Sequence, residues 1–216
     1  MARRFKDRRD AGAALEEALP DYPEGETVVV ALPRGGLPVA AEICRARNLP
    51  LALVFVRKIG MPGHPELAIG AIAEAQDVEV YAASHIAARA GLDDDEIRRM
   101  GNALLPEIAR RRTLYLGDRP VPDLKGKTLV VVDDGAATGA TLKASLMALR
   151  QSKPDRIVVA LPVAPEETVA ALKDLADEVV CLSTPSPFVA VGAHFDTFYQ
   201  VGDDVVIRLI KEYAVP

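Results

Sequence analysis

Runs of apolar, β-branched residues alternate along the chain with segments in which apolar residues recur every three or four positions. Each run is nearly continuous, as in strands that are covered on both faces. The runs predict strands at Thr27–Leu32, Leu51–Val56, Thr128–Asp133, Arg156–Pro162 and Glu178–Ser183, and the intervening spacing predicts helices at Leu37–Arg47, Ala140–Gln151 and Pro165–Leu175. The alternation predicts an α/β fold with a doubly wound, mostly parallel sheet flanked by helices.

One segment departs from this alternation, between about residues 81 and 123. It carries two helical patterns, and the longer one runs from about Asp93 to Arg112. Acidic residues begin the longer pattern and three arginines end it, which complements the helix dipole, and we favour this role over phosphate binding. We therefore expect an inserted helical flap in this segment.

The two ends of the chain are expected to cover the sheet. The sequence predicts an N-terminal helix at Ala11–Leu19 and a C-terminal helix at Asp204–Tyr213. We interpret residues 1–216 as a single domain, in which about residues 184–216 and the N-terminal helix form a hood.

Composition narrows the class of protein. The chain has 216 residues, of which 50% are hydrophobic and 26% charged, so it can bury a core and is not disordered. Its net charge of −5 argues against nucleic-acid binding, which needs a clustered excess of lysine and arginine. Two cysteines cannot form a disulfide framework, and no apolar run is long enough to span a membrane. The basic N-terminus has no hydrophobic stretch behind it, so we expect a cytoplasmic protein.

The strongest chemical signal is the segment VVVDDGAATGAT, from Val130 to Thr141. A buried strand ends here in two adjacent carboxylates, Asp133 and Asp134, and a loop of small residues then leads into a helix. Backbone amides at a helix N-terminus bind anions, and the hydroxyls of Thr138 and Thr141 can donate to the same anion. The carboxylates suit sugar hydroxyls or a divalent cation. The segment therefore predicts a site for a phosphorylated sugar at the carboxyl end of a strand.

This segment resembles the signature loop of type I phosphoribosyltransferases. The resemblance implies that Asp133 and Asp134 contact the ribose hydroxyls of phosphoribosyl pyrophosphate (PRPP) and take part in metal binding indirectly, through PRPP and its Mg²⁺. It also implies a homodimer. Binding of the 5′-phosphate then falls to the loop residues Ala136, Ala137, Thr138, Gly139, Ala140 and Thr141, and Gly135 before them is a further candidate for substrate binding.

A second segment, VVVALPRGGLPVA, ends the first predicted strand in Arg34, Gly35 and Gly36. By itself it fits an ordinary strand–helix turn as well as an anion site, where paired glycines would expose amide groups. In type I phosphoribosyltransferases this loop binds pyrophosphate, so the resemblance implies that role for these three residues. A non-proline cis peptide common in that loop would fall at Pro33–Arg34.

A third segment begins with Arg57 and Lys58 at the end of a predicted strand. Alternating glycine and proline follow as far as Pro65, and we interpret this stretch as irregular. The family has a mobile loop here, so the resemblance implies that both cations reach the pyrophosphate. The competing interpretation is a surface loop with a solvated basic pair. His64 could contact oxygens of the leaving group when the loop closes, but a histidine at a loop tip more often has no role.

The resemblance implies a reaction in which a nucleobase nitrogen displaces pyrophosphate from C1 of the ribose. Arg34, Arg57, Lys58 and Mg²⁺ would stabilise the leaving group. Phe188 in the predicted hood is the candidate wall for a flat acceptor, although the aromatic residues there could instead pack the C-terminal helix onto the sheet. Ala137 lacks the acidic side chain that some 6-oxopurine enzymes carry at this position, which disfavours those substrates.

Two other functions remain open. A non-catalytic PRPP sensor could use the same fold, although the acidic charge and the lack of a basic arm disfavour it. A phosphosugar or nucleotide hydrolase could also use the phosphate-binding loop. The expected partners are small molecules, with neither nucleic acid nor membrane, whereas a sensor of the kind used in transcriptional control would also bind nucleic acid.

Overall fold

The computed structural model describes residues 3–23, 25–74, 78–82, 89, 91–119 and 122–213. Eight strands, seven α-helices and a short 3-10 helix at Val191–His194 have bounds within these residues. The strands are β1 (Thr27–Ala31), β2 (Leu51–Leu53), β3 (Phe55–Met61), β4 (His64–Glu74), β5 (Val78–Ala82), β6 (Thr128–Val132), β7 (Arg156–Val163) and β8 (Glu178–Ser183). The helices are α1 (Arg8–Ala18), α2 (Gly36–Arg47), α3 (Asp94–Asn102), α4 (Leu105–Leu116), α5 (Ala140–Gln151), α6 (Glu166–Lys173) and α7 (Asp203–Tyr213). No helix among them is long and apolar enough to cross a membrane.

Five strands form one parallel sheet in the order β2-β1-β6-β7-β8, which confirms the predicted fold class. The strand order reverses between β1 and β6, because the chain first moves outward to β2 and then returns to the other side of β1. The loops that follow β1 and β6 therefore leave the same edge of the sheet side by side. This is the position at which open α/β sheets bind their ligands.

Successive side chains of β1 enter two different cores, as expected for a strand that is covered on both faces. Val29 packs on one face with residues of α1, α2 and α7. Val30 packs on the other face with residues of α5 and α6. Burial on both faces explains why the strands of this sheet are nearly continuous apolar runs in the sequence.

The segment after β2 corrects one prediction. We expected residues 59–65 to be irregular, but β3, β4 and β5 form a separate antiparallel sheet in which β3 and β4 are a hairpin. Pro62 and Gly63 form its turn, where Gly63 has a φ of 79°, and the register shifts on both sides of Gly60. The glycine and proline residues thus serve a turn and a bulge within regular structure.

The insertion contains α3 and α4 where the sequence predicts one long helix. A capping box begins α3: the Glu96 amide donates to Asp93 Oδ1 over 2.8 Å, and the Asp93 amide donates to Glu96 Oε2 over 3.0 Å. The helical pattern is interrupted at Ala103 and Leu104, and a proline lies in the first turn of α4. The arginines at 110–112 form ion pairs with glutamates, Glu107 on the same helix and Glu74 on β4. Residues 83–88, 90, 120 and 121 of the predicted insertion lie outside the described residues.

The N-terminal segment lies against residues 191–199. Phe5 forms a β-bridge with Phe195, and the guanidinium of Arg4 pairs with Asp196. The rings of Phe195 and Phe198 pack with Phe5, so the aromatic residues of this segment hold the N-terminal segment rather than the C-terminal helix α7. Residues 1–2 and 214–216 of the predicted domain lie outside the described residues.

Candidate active site

The loops that follow β1 and β6 are in direct contact. A Cβ atom on Gly35 would lie 2.6 Å from Cγ of Asp134, and one on Gly36 would lie 2.6 Å from the carbonyl oxygen of Val132. No side chain fits at either position. The two segments that carry the strongest sequence signals therefore form one site, and glycine is required because the loops approach so closely.

The structure changes the reason for the paired glycines. We expected both amides to be exposed, but the Gly36 amide donates to the carbonyl oxygen of Leu32 over 3.1 Å. Helix α2 begins at Gly36. The peptide bond between Pro33 and Arg34 has the cis configuration, at the position where the family resemblance places it.

The adjacent carboxylates lie in different environments. Oδ1 of Asp133 accepts the amide of Asp134 over 2.9 Å. Burial, and secondly the negative charge of Asp134, raise the pKa of Asp133 well above its ordinary value. Burial also raises the pKa of Asp134, but a positive charge opposes this effect because the Arg8 guanidinium donates to Oδ2 of Asp134 over 2.8 Å. Only Asp134 of the two therefore has a cationic partner within hydrogen-bonding distance among the described residues.

Arg8 is a member of the site that sequence reasoning missed. It is the first residue of α1, where the side chain of Asp7 caps the helix by accepting two backbone amides. Arg8 and Asp134 are 126 positions apart, so no local pattern relates them. The sequence carried one indication of its role. A basic residue in the first turn is unfavourable for the helix dipole, which suggests that Arg8 interacts with a group outside its own helix.

The loop from Gly135 to Thr141 leads from the carboxylates into α5. The Ala136 amide donates to the carbonyl oxygen of Val163 over 3.0 Å, which fixes the loop to the neighbouring strand β7. Gly139 has a φ of 69° and stands immediately before α5. Ala137 and Thr138 are exposed, and no described backbone acceptor takes their amides. With the amides of the first turn of α5, they form a set of unpaired amides at a helix N-terminus, the kind of arrangement to which anions bind.

Arg34 connects the site to the C-terminal helix and the insertion. Its guanidinium lies 3.3 Å from Oδ1 of Asp203, the first residue of α7. The hydroxyl of Tyr115, on α4, donates to the same oxygen over 2.6 Å. Burial, and secondly this bond, raise the pKa of Tyr115 to about 12. The helical insertion therefore supports the loop that carries Arg34.

Arg57 and Lys58 lie on β3, and successive residues of a strand project from opposite faces. Arg57 shares a face with Phe55, whose ring stacks on Tyr115 at a centroid distance of 6.3 Å. Lys58 shares the opposite face with Val56, which packs on the core beneath α5. The two cations therefore project from opposite faces of β3. Arg57 is on the face that packs against Tyr115, and Tyr115 is connected to Arg34 through Asp203.

Phe188 is half-buried against the aromatic cluster of the hood, and its ring lies 5.4 Å from the ring of His194. The exposed aromatic residue of this segment is Tyr199, whose side chain is largely open to solvent at 83% exposure. The carbonyl oxygen of Tyr199 accepts from Arg8 over 2.8 Å. Phe188 and Tyr199 are therefore the two aromatic side chains of the hood considered for contact with a flat acceptor, and Tyr199 is the more exposed of them.

Mg²⁺ prefers oxygen ligands and usually keeps several waters while it binds one or two carboxylates and substrate phosphates. Among the residues that the structure describes, no group of three or more His, Cys, Asp or Glu side chains could hold a metal ion. Asp133 and Asp134 provide oxygen donors at one side of the site. This set fits a cation that arrives with a phosphorylated substrate.

Comparison with known proteins defines the class to which this fold and site belong. Residues 7–197 match the sequence model of the phosphoribosyl transferase domain. The chain therefore belongs to the phosphoribosyl transferase domain family. Its parallel sheet, with the loops after β1 and β6 side by side, is the type I fold of that family.

Several particular proteins are similar to this chain. Two strains of Mycobacterium tuberculosis have proteins named "Putative phosphoribosyl transferase" MT0597 and Rv0571c, each 40% identical over 210 residues, which cover 95% of this chain and 46% of theirs. The chain thus spans about half the length of these curated relatives. The crystal structure of TT1426 from Thermus thermophilus is 42% identical, covers 98% of this chain and 100% of that one, and superposes with a TM-score of 0.83. AQ2163 from Aquifex aeolicus, 16% identical with a TM-score of 0.50 over 82% of this chain and 74% of that one, shares the fold.

Proposed function

We propose that this protein transfers the 5-phosphoribosyl group of PRPP to a nitrogen atom of a nucleobase-like acceptor and releases pyrophosphate. The observation that carries the proposal is the contact between Gly35 and the Asp134 carboxylate, which joins the loop of Arg34 to the carboxylate loop. Family membership supports the same reaction class.

The parts of the site match the parts of PRPP. The helix N-terminus at Ala137–Thr141 suits the 5′-phosphate, because its amides are unpaired within the helix and its dipole favours an anion. Asp133 and Asp134 suit the ribose hydroxyls as hydrogen-bond acceptors. Arg34, in the adjoining loop, suits the pyrophosphate group as a fork-shaped cation.

The reaction needs positioning and charge stabilisation more than a protein nucleophile. The bond between C1 and the pyrophosphate oxygen breaks, and its electron pair leaves with pyrophosphate. The lone pair of the acceptor nitrogen forms the new bond to C1, and the proton of that nitrogen passes to solvent. When Mg²⁺ is bound with PRPP, it neutralises part of the charge that develops on pyrophosphate. Arg34 stabilises the same charge, and the carboxylates favour the positive charge that develops on the ribose ring.

The hood residues Phe188 and Tyr199 are the candidate contacts for a flat acceptor. Tyr199 is exposed, and its backbone is anchored through Arg8 to Asp134, which holds this segment beside the ribose site. Ala137 presents no polar side chain to an acceptor. A homodimer and a cytoplasmic location remain predictions from the sequence.

The test is turnover of a panel of purine, pyrimidine and related bases with PRPP and Mg²⁺, measured as release of pyrophosphate. The expected result is release that depends on one acceptor class and is lost in an Asp133→Asn variant. Binding of PRPP without turnover of any acceptor would favour a sensor. Release of free ribose 5-phosphate without an acceptor would favour a hydrolase, and absence of PRPP binding would reject the proposal.

A further inference from the structure

Arg8 forms three contacts that together fix the orientation of its guanidinium. Nε donates to Oδ2 of Asp134 over 2.8 Å, Nη1 donates to the carbonyl oxygen of Tyr199 over 2.8 Å, and Cζ lies 3.8 Å from the centroid of the Phe198 ring. Only 12% of the Arg8 side chain is exposed, and 15% of the Asp134 side chain. A guanidinium that is bonded along its edge and stacked on its face has little freedom to turn.

The neighbouring arginines show that this arrangement is not a general feature of the basic N-terminus. Arg4 pairs with Asp196 with 60% of its side chain exposed, and Arg9 pairs with Glu42 with 76% exposed. The exposed pair of Arg4 with Asp196 contributes little to stability, and Arg9 keeps most of its side chain in solvent although Glu42 is buried. Of these three arginines, Arg8 is the one directed inward onto the carboxylate loop.

The contact leaves part of Asp134 available. Oδ1 of Asp134 accepts no hydrogen bond from another described residue. It is also not fully buried, so it is in contact with solvent. Arg8 holds one oxygen of the carboxylate, and the other is open to a ligand.

We propose that Arg8 is a positioning residue, which holds Oδ2 of Asp134 so that Oδ1 is directed to a hydroxyl of the substrate ribose. This inference rests on the proposed function. Because the same guanidinium binds the carbonyl oxygen of Tyr199, Arg8 also joins the ribose site to the hood segment that would contact the acceptor. The ligand class that depends on Arg8 is a pentose phosphate with a free hydroxyl at C2.

The experiment compares the binding of ribose 5-phosphate, 2-deoxyribose 5-phosphate and inorganic pyrophosphate to the wild type and to Arg8→Gln, Arg8→Lys and Arg4→Gln. The deoxy sugar lacks one hydroxyl of the diol, so the ratio of the two sugar affinities isolates the carboxylate contact. Arg4→Gln is the matched control, because Arg4 also ties the N-terminal segment to the hood but does not touch Asp134. The KM for PRPP and kcat are measured with the same proteins.

We expect the wild type to bind ribose 5-phosphate about tenfold more tightly than the deoxy sugar, as for a hydroxyl that donates to a carboxylate. In Arg8→Gln this preference is lost, the KM for PRPP rises more than kcat falls, and pyrophosphate binding is unchanged. Arg8→Lys keeps the charge but cannot reach both partners, so we expect it to retain about a third of the preference. Arg4→Gln keeps all of it.

A folded Arg8→Gln that keeps the wild-type preference would overturn the inference. If Arg8→Gln does not fold, wild-type preference in Arg8→Lys would overturn it equally, and so would loss of the preference in Arg4→Gln. A wild type that binds both sugars equally well would overturn it too. Failure of the proposed function has a different result: the wild type itself would not bind ribose 5-phosphate and PRPP.

Discussion

The carboxyl edge of the central sheet and the β3–β4 hairpin both carry residues expected to contact PRPP, but they are built differently. At the sheet edge, Asp134 is bound by Arg8 and packs on Gly35, and Arg34 is bound by Asp203. On the hairpin, Arg57 and Lys58 have no hydrogen-bond or ion-pair partner among the described residues.

This difference separates two ways of stabilising the same substrate. Groups already fixed by protein partners bind a ligand without further ordering, whereas ordering a free lysine or arginine side chain costs about 1.5–2 kcal/mol of conformational entropy. We therefore expect the sheet edge to provide the affinity for PRPP. The hairpin is expected to act mainly on the reaction rate, when charge develops on the leaving group.

The largest effect is expected for Asp134→Asn. It removes the negative charge of the ribose acceptor, replaces one of its oxygens with a donor and leaves Arg8 without its anionic partner, so PRPP affinity should fall about a hundredfold or more. The free energy of unfolding should change less, because burial destabilises the ionised carboxylate while the Arg8 ion pair stabilises it. Calorimetric titration with PRPP measures the affinity. A variant with the wild-type affinity would contradict the role assigned to Asp134.

Asp133→Asn is expected to weaken PRPP binding to a similar extent but to stabilise the protein. The raised pKa means that ionisation of Asp133 is less favourable in the folded state than in the unfolded chain, so its charge destabilises the fold. The variant should therefore melt a few degrees above the wild type at about pH 8, and the difference should shrink as the pH falls towards about 4. A variant less stable than the wild type throughout this range would contradict the prediction.

Gly35→Ala should disrupt the contact between the two loops. Its Cβ would overlap the Asp134 carboxylate, which must move away from both the ribose and Arg8, and we expect PRPP affinity to fall about twentyfold. Gly63→Ala in the hairpin turn is the control, because no atom lies within 4 Å of its Cβ position although its φ of 79° makes the change mildly strained. Equal PRPP affinities for the two variants would contradict the assignment.

The smallest effects are expected on the hairpin, and they should differ between neighbours. Arg57→Gln should lower kcat about tenfold with little change in PRPP affinity. Arg57 is on the face of β3 that packs against Tyr115, which is connected to Arg34 through Asp203, so its charge would act on the same leaving group as Arg34. Lys58→Gln, on the opposite face, should change kcat about twofold or less. Steady-state kinetics with saturating PRPP measures both. A larger effect for Lys58 would show that the opposite face of the hairpin covers the substrate.

The central sheet could be predicted from the sequence because burial on both faces leaves a local signal. The predicted bounds of β8 and α5 agree with the structure, and those of β1, β6 and β7 differ by one residue each. The predicted strand Leu51–Val56 is wrong in one respect, because it divides into β2 of this sheet and the start of β3 in the other. The carboxylate loop was also predictable, since its acidic pair, small residues and helix start are contiguous in the chain.

The hairpin was not predictable in the same way. Gly60, Pro62 and Gly63 suggest irregular structure when they are considered locally, and only the pairing of β3 with β4 shows that they form a bulge and a turn. The contact of Arg8 with Asp134 depends on folding of the whole chain, since 126 positions separate the two residues. The sequence therefore predicts the groups of the site, whereas the orientation of those groups depends on tertiary contacts.

The central claim is that the carboxylate loop binds PRPP, and it is tested most directly by titrating PRPP with Mg²⁺ into the wild type and Asp133→Asn. Because this variant is expected to be at least as stable as the wild type, loss of binding cannot be attributed to unfolding. The account predicts one PRPP per chain for the wild type and an affinity about a hundredfold weaker for the variant. Equal affinities, or no binding to the wild type, would contradict it.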